Sequence, residues 1–184
     1  VLIAGCGTGH QIIGASQYKD ADITAIDICD LSVAYAKQKA DEYGMNVRFI
    51  VMDLLDVELL KQQFDIIECG GVLHHMADPE RGLSALCKVL APDGQMKLGL
   101  YSKEARTAVT EVRNSIKNVD IRDFRTKVFH GCYPELQELT QMLDFYGLST
   151  CRDYCFHECE HQFTLPQIHS MLNNNNLELC EFLD

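Results

Sequence analysis

Three glycines at alternating positions follow a short apolar run at the start of the chain. Val1–Ala4 leads directly into Gly5, Gly7 and Gly9, within the segment GCGTGH. Because glycine has no side chain, the backbone can turn sharply there and a ligand can lie against it. The dinucleotide fingerprint GxGxxG needs its third glycine where His10 stands, so the pattern disfavours a nicotinamide or flavin cofactor.

Two aspartates follow the next two apolar runs. Asp27 can accept hydrogen bonds from the vicinal hydroxyls of a ribose, and Asp53 can accept one from an adenine amino group. Either residue alone could equally be the N-cap of the helix that follows. The glycine loop and both carboxylates, in this order on successive strands, together predict a site for a ribose-bearing cofactor.

The elements that must position these residues alternate between strand and helix over the first hundred residues. Asp30 is the expected N-cap and Gly44 the expected C′ residue of the second helix, and Asp78–Pro79 opens the fourth. Five repeats of this βα type predict an α/β fold, with a doubly wound, mostly parallel sheet. The predicted strands are Val1–Ala4, Asp22–Asp27, Val47–Met52, Phe64–Cys69 and Gln95–Tyr101 (after a turn at 92–94), and the predicted helices are Gln11–Tyr18, Leu31–Tyr43, Leu54–Gln62 and Pro79–Leu90.

The alternation of strand and helix patterns is interrupted after residue 101. We expect one domain with three parts. Residues 1–101 are the expected cofactor-binding core, 102–164 a helical insertion on the acceptor side, and 165–184 a last helix and strand. The insertion and the last part contain helical patterns at Lys103–Lys117, at Pro134–Tyr146 with an apolar stripe that includes Leu143, and at Gln167–Asn173, and a strand pattern at Leu177–Leu183.

Composition excludes several other classes of protein. The 184 residues are 47% hydrophobic and carry a formal net charge of −11, which fits a globular domain and disfavours a broad nucleic-acid-binding surface. No apolar run reaches the length of a membrane span, and no signal peptide is visible. The nine cysteines are an odd number, which favours a reducing, cytoplasmic location over a disulfide framework. The sequence does not indicate an oligomeric state.

As a set, these motifs resemble the class I, Rossmann-like S-adenosylmethionine-dependent methyltransferases. The resemblance runs from Val1 to about Tyr101, through VLIAGCGTGH, ITAIDI, FIVMDLLD, FDIIECGGVLHHMADP and VLAPDGQMKLGLYS. The segments LGLYSKEAR, CRDYCFHECEHQFTLPQI and NLEL resemble more specifically the methyltransferase domain found downstream of tetratricopeptide repeats in some bacterial proteins. The family implies S-adenosylmethionine as the cofactor and methyl transfer to a small-molecule or protein acceptor as the activity.

The resemblance also implies roles for two glycine-containing loops. The loop after the first strand would line the methionine part of the cofactor, and the loop after the fourth strand would face the methyl sulfonium and the acceptor. The residues concerned are Gly5, Cys6, Gly7 and Gly9 in the first loop, and Gly70, Gly71 and Val72 in the second.

Four further positions match the part of the family that holds the adenosine. Asp27 would bind the ribose hydroxyls, with Ile28 against the adenine ring. Asp53 would meet the adenine amino group, and Leu54 would cover the base.

The chain departs from the family pattern at one position in the cofactor loop and at its ends. Many members have an acidic residue two positions before the first glycine, where this chain has Ile3, so the usual contact to the cofactor's amino group must be replaced or absent. The helix before the first strand and the seventh, antiparallel strand are not visible. We therefore expect a fragment, truncated at both ends, of a longer protein.

Candidates for the chemistry of methyl transfer lie near the fourth and fifth strands. The sulfonium is already activated, so alignment dominates, and a base is needed only when the acceptor must lose a proton. His74 and His75, just after the fourth strand, are the candidates for such a base, and Tyr101, at the end of the fifth strand, is a further catalytic candidate that could face the acceptor. The alternative is that one histidine caps a turn and the other is solvated.

The insertion supplies polar candidates for an acceptor pocket. An arginine over a cleft suits a carboxylate or phosphate on the acceptor, and the alternative is an ion pair with one of the many acidic residues. The candidate residues are Arg106, Arg152, His157 and His161.

The segment His157–His161 reads HECEH and so matches the zinc-protease signature HExxH. On a helix, its two histidines would share one face and could chelate zinc. The charged Glu160 inside the motif and the absence of a third ligand at a familiar spacing argue against it, and we expect no metal. A zinc-dependent site and a non-catalytic module that keeps the methyltransferase fold are the alternatives to methyl transfer.

Overall fold

One sheet of five parallel strands organises the first part of the computed structural model. The structure describes residues 1–142 and 145–183, and of Asn114 only the backbone. The strands pair in the order β3-β2-β1-β4-β5, which confirms the predicted parallel α/β sheet. They are β1 (Leu2–Ala4), β2 (Ile23–Asp27), β3 (Val47–Val51), β4 (Phe64–Gly70) and β5 (Leu90–Gly99).

The order of the strands reverses between β1 and β4. The chain runs from β1 outward through β2 to β3, and then returns to place β4 on the other side of β1. Connections on the two sides of this point diverge, and they leave a crevice at the carboxyl ends of the strands where ligands bind in open α/β sheets. The glycine loop after β1 and the loop after β4 both lie at this reversal point.

Two of the helices between the strands end within one residue of their predicted ends. One of them, α2 (Asp30–Glu42), stops because Gly44 takes a left-handed conformation with φ 66°, and Met45 N–H then donates to Ala40 O at 2.9 Å. Its N-cap is Cys29, one residue before the predicted Asp30. The others are α1 (His10–Ala15), which is shorter than predicted, a 3-10 helix at Leu54–Leu60, and α3 (Pro79–Val89), capped by Asp78 as predicted.

The turn predicted at residues 92–94 is part of β5 instead. Phe64 pairs with Leu90 and Ile66 pairs with Gln95, so the β5 side holds extra residues between these two pairs. Asp93 has φ 62°, which is the local kink that accommodates them. The strand therefore begins at Leu90, and the extra residues make an irregularity within it.

The chain divides into two compact units. One contains Val1–Leu100 and the segment from Leu165 onward, including α7 (Leu165–Asn174), and the other contains Tyr101–Thr164. The helices of the second unit are α4 (Thr107–Ile116), α5 (Ile121–Phe129), a 3-10 helix at Pro134–Gln141, and α6 (Leu148–Phe156).

The second unit has its own apolar core and two helices that the sequence did not predict. Phe124, Val128 and Leu136 are buried in this core with Cys151 and Cys155. Both missed helices, α5 and α6, supply members of it at i and i+4 spacing. The helix predicted at 134–146 is a 3-10 helix that ends at Gln141, and the predicted stripe residue Leu143 lies outside the described residues.

The strand predicted at Leu177–Leu183 is wrong. These residues form no regular element, and Leu179, Phe182 and Leu183 are exposed. An alternating pattern becomes a strand only when its backbone pairs with a neighbouring strand, and no described strand pairs with this segment. Among the described residues, no helix is long and apolar enough to span a bilayer.

Candidate functional site

The glycine loop turns back over the carboxyl end of β2. The N–H groups of Gly5 and Cys6 both donate to Ile26 O at 2.9 Å, which fixes the loop to its neighbouring strand. Gly5, Gly7 and Gly9 all have positive φ, at 79°, 49° and 96°. At Gly5 the approach is also close, because an added Cβ would lie 2.1 Å from Val72 Cγ2. Glycine is thus required at this position by both backbone conformation and space.

Cys6 turns its side chain away from the loop surface. It is 4% exposed and belongs to the apolar cluster formed with Ile3 and Ile12, and burial raises the pKa of its thiol to about 12. Only the backbone of Cys6 is therefore available to a cofactor.

Asp27 ends β2 and holds the glycine loop. Its Oδ2 accepts from Gly7 N–H at 2.7 Å, and its Oδ1 accepts from Cys29 N–H at 2.9 Å. The second of these bonds reaches the N–H of Cys29, which is the N-cap residue of α2, so Asp27 is not itself the N-cap. Each carboxylate oxygen has two acceptor sites, and one on each oxygen stays available for a ribose hydroxyl.

The residues expected around the adenine ring lie at the same edge of the sheet. Met52 N–H donates to Asp27 O at 2.9 Å, which places Asp53 beside the end of β2. Asp53 Oδ1 accepts from Leu55 N–H at 2.9 Å and thereby caps the following 3-10 helix. Ile28 is 71% exposed and is therefore accessible to a planar ring, whereas Leu54 is only 6% exposed and packs inward.

The end of β4 lies directly across the reversal point from the glycine loop. Gly70 is the last residue of β4, Gly71 has φ 77°, and Val72 packs on Gly5. Gln11 of α1 crosses the reversal point, since its Nε2 donates to Gly70 O at 2.9 Å. Gln11 was not among the predicted site residues, and only its place just behind the glycine loop could have suggested it.

The two candidate histidines follow β4 in a short 3-10 helix at Leu73–His75. His74 is 2% exposed and His75 is partly buried, and their ring centroids are 4.3 Å apart in an edge-on arrangement. Neither is simply solvated, as one alternative required. His75 is the more accessible of the two, so it is the better candidate for proton transfer.

Tyr101 and Arg106 form a buried cluster within the second unit. The Arg106 guanidinium lies 4.1 Å from the ring centroid of Tyr101 and 4.2 Å from that of Tyr154, and it pairs with Glu160 at 2.6 Å. Arg106 is 1% exposed, so the ion-pair alternative describes it and it is not available to an acceptor. Burial raises the pKa of the Tyr101 hydroxyl, which makes it a poor base at neutral pH.

The segment HECEH is not helical. The helix α6 ends at Phe156, and His157 is its C-cap with extended backbone at ψ 132°, so His157 and His161 do not share a helix face. The zinc-protease interpretation is therefore wrong, and Glu160 is buried against two arginines instead. Arg152 is exposed, and His161 stacks on Phe163.

The sequence matches a known family over the part of the chain that carries this site. Residues 1–94 match the family described as "Methyltransferase domain". The match covers the whole region from the glycine loop through α3, and the chain belongs to this methyltransferase family.

Two curated proteins illustrate its relatives. An uncharacterised protein of Synechococcus sp. is 38% identical over 119 residues, which are 63% of this chain and 28% of that protein. A ubiquinone biosynthesis O-methyltransferase of Pseudomonas fluorescens is 33% identical over 98 residues, 52% of this chain and 41% of that enzyme. The chain spans less than half the length of these relatives.

Two solved structures share the fold over nearly the whole chain. PKMT2 from Rickettsia typhi has a TM-score of 0.74 at 18% identity, covering 95% of this chain and 37% of that one. The magnesium protoporphyrin IX methyltransferase of Synechocystis, solved with bound S-adenosylhomocysteine, has a TM-score of 0.63 at 20% identity, with coverage of 98% and 64%. At these identities the two likenesses show that the fold is shared.

Proposed function

We propose that this chain binds S-adenosylmethionine at the carboxyl edge of its sheet and transfers the methyl group to an acceptor. The observation that carries the proposal is the Asp27 carboxylate, which holds Gly7 of a left-handed glycine loop at the reversal point of a methyltransferase-family sheet. The loop is thereby shaped before any cofactor arrives, and pre-organisation of this kind favours binding.

Each part of the cofactor has a corresponding place at this edge. The methionine part lies along Gly5, Gly7 and Gly9, the ribose hydroxyls donate to Asp27, and Ile28 covers the adenine ring. Asp53 accepts from the adenine amino group through the oxygen sites that the N–H of Leu55 leaves available. Gly70 and Val72 then border the sulfonium.

The acceptor is a small molecule or a protein in this proposal. The Pseudomonas relative is an O-methyltransferase by name, and a hydroxyl acceptor must lose its proton during transfer. His75, after β4, is the residue that we propose for this proton, with His74 packed against it. The exposed Arg152 and the half-buried His157 and His161 of the second unit are proposed to contribute to acceptor recognition.

The proposed cellular location and domain neighbourhood rest on the same resemblance. We propose that the chain is a cytoplasmic domain of the kind that follows tetratricopeptide repeats, since LGLYSKEAR and the segment around CRDYCFHECEH resemble those domains. All nine cysteines are free thiols, which suits a reducing compartment. The net charge of −11 supports the expectation that nucleic acid is not the partner.

Calorimetric titration with S-adenosylhomocysteine tests the cofactor site. We expect Asp27→Ala to weaken binding by at least about 100-fold, because it removes two hydrogen bonds to a charged acceptor, each worth about 1.5 kcal/mol or more. Asp22→Ala is the matched control, since Asp22 lies just before the other end of the same strand and is exposed. Equal affinities for the two variants, with unchanged melting temperatures, would contradict the proposed site.

Methyl transfer itself needs a second experiment. Labelled S-adenosylmethionine incubated with the chain and a cell extract should label an acceptor, and His75→Asn should lower the rate without changing S-adenosylhomocysteine affinity. A chain that binds the cofactor and labels nothing would support a non-catalytic module instead.

A further inference from the structure

A buried amide oxygen at the reversal point of the sheet has no protein partner. Gln11 Nε2 donates to Gly70 O at 2.9 Å, and because a carbonyl can only accept, the orientation of the Gln11 amide is fixed. The other end of that amide, Oε1, is buried and has no hydrogen-bond partner among the residues that the structure describes. A buried acceptor of this kind needs a donor, which a bound ligand can supply.

A buried carboxylate lies on the same face of the sheet. Glu68 is 6% exposed, and it precedes Gly70 by two positions on β4, so the two residues project to the same side. A Cβ at Gly70 would lie 2.7 Å from Gln11 Nε2, which shows that the Gln11 amide covers that same side. Gln11 and Glu68 therefore lie on the same face of the sheet, within two positions of each other along the end of β4.

The negative charge of Glu68 is not matched by a protein cation. Its Oε1 accepts from Tyr18 OH at 2.9 Å, and within the described part of the chain no lysine, arginine or histidine forms an ion pair with it. The residue paired with Glu68 on β1 is the apolar Ile3. A buried carboxylate is stabilised by a cation that donates hydrogen bonds, and an ammonium group is both.

We propose that Gln11 and Glu68 bind the α-ammonium group at the amino-acid end of S-adenosylmethionine. Gln11 Oε1 accepts one ammonium hydrogen, and the Glu68 carboxylate supplies the countercharge. This pair takes the place of the acidic residue that the chain lacks at Ile3. The inference rests on the proposed function, because it assigns one end of the same cofactor.

Two ligands that differ by the amino-acid end separate this role from a structural one. S-adenosylhomocysteine carries the ammonium and no sulfonium, whereas 5′-methylthioadenosine keeps the adenosine and the thioether and lacks the amino-acid end. Calorimetry on Gln11→Leu and Glu68→Gln should show at least about tenfold weaker S-adenosylhomocysteine binding and less than about twofold change for 5′-methylthioadenosine.

Two matched variants serve as controls. Gln17→Leu repeats the glutamine substitution at an exposed position just beyond α1, and Tyr18→Phe removes the hydrogen bond to Glu68 while keeping its charge. Both should bind S-adenosylhomocysteine within about twofold of the wild-type chain. Melting temperatures verify that each variant folds, and if Gln11→Leu does not fold, Glu68→Gln alone decides.

The outcomes are distinguishable. Equal weakening of both ligands in Gln11→Leu and Glu68→Gln, or a loss in Tyr18→Phe as large as in Glu68→Gln, would mean a structural role and overturn the inference. A wild-type chain that binds neither ligand would overturn the proposed function itself, and this inference with it. Normal 5′-methylthioadenosine binding with selectively weakened S-adenosylhomocysteine binding supports both.

Discussion

Removing the charge of Glu160 should strongly destabilise the second unit, because Glu160 is the buried partner of two arginines. The Glu160 side chain is 1% exposed, and its two oxygens accept from Arg106, from Arg113 and from Gln162, the last at 2.8 Å. The substitution Glu160→Gln keeps the size of the side chain and removes its charge. Arg106, itself 1% exposed, then stays buried without a countercharge.

Two independent routes give the size of this effect. Burial alone would raise the pKa of Glu160, but the hydrogen bonds from Arg106, Arg113 and Gln162 outweigh it and lower the pKa from 4.5 to about 2. A difference of that size corresponds to about 3 kcal/mol of stability at neutral pH. Breaking one side of a buried ion pair costs about 3–5 kcal/mol in other proteins, which agrees.

Native-state hydrogen exchange of the full chain, read by mass spectrometry, measures this effect unit by unit. Peptides from 101–164 should exchange in Glu160→Gln with an opening free energy about 3 kcal/mol lower than in the wild-type chain. Glu158→Gln is the control, because Glu158 is exposed and lies in the same segment. A loss below about 1 kcal/mol, or one equal in the two variants, would refute the ion pair's stabilising role.

The stability that Glu160 contributes to the second unit also depends on pH. Because the pKa of Glu160 is lower in the fold than the ordinary 4.5, its contribution is complete above that value and is lost as the pH falls toward about 2. The difference in opening free energy between the wild-type chain and Glu160→Gln should therefore shrink across this acidic range. A difference that stayed constant from neutral pH down to about 2 would contradict the assignment.

Three further outcomes test the site and its supports. Gly5→Ala should weaken S-adenosylhomocysteine binding at least about tenfold, because φ there is 79° and the new Cβ would meet Val72; Gly5→Ala with Val72→Ala should recover only part, since the backbone strain remains. Asp78→Ala should lower the free energy of unfolding in urea by about 1 kcal/mol through loss of an N-cap, and Asp78→Asn should not. Iodoacetamide should modify Cys29 well before Cys69, with the rates read by peptide mass spectrometry. Cys29 is exposed and a hydrogen bond from Ser32 lowers the pKa of its thiol, whereas burial raises the pKa of the Cys69 thiol to about 12. Comparable rates for the two thiols would contradict both assignments.

The first hundred residues were predictable because their signals are local. Gly44 ends α2 through its own left-handed conformation, and Asp78 caps α3 through a bond to a residue three positions on. Signals of this kind are complete within a few residues of sequence. The turn at 92–94 shows their limit, because pairing with β4 absorbs those residues into β5.

The second unit was less predictable because its organising contacts are long-range. Arg106 and Glu160 are 54 positions apart, and nothing near either residue indicates the other. The helix α5 did have a local signal, the N-cap Asp120, which accepts from two backbone N–H groups, and the sequence interpretation missed it. The prediction of a strand at Leu177–Leu183 was wrong for a related reason. The alternating pattern of a strand is visible in the local sequence, but the neighbouring strand that it must pair with is not.

Asp27 shows how a strand-end aspartate can bind the backbone and still be available to a ligand. Its Oδ1 accepts from the N–H of Cys29, the residue that caps α2, and its Oδ2 accepts from the N–H of Gly7 in the glycine loop. Four acceptor sites on one carboxylate allow both bonds and still leave room for two ribose hydroxyls. These two bonds hold the carboxylate in one orientation, so the entropy of ordering it is lost on folding rather than on binding of the cofactor that we propose. The same logic applies to Gln11, whose amide is fixed by the bond to Gly70 and whose Oε1 is the acceptor that we propose for an ammonium group.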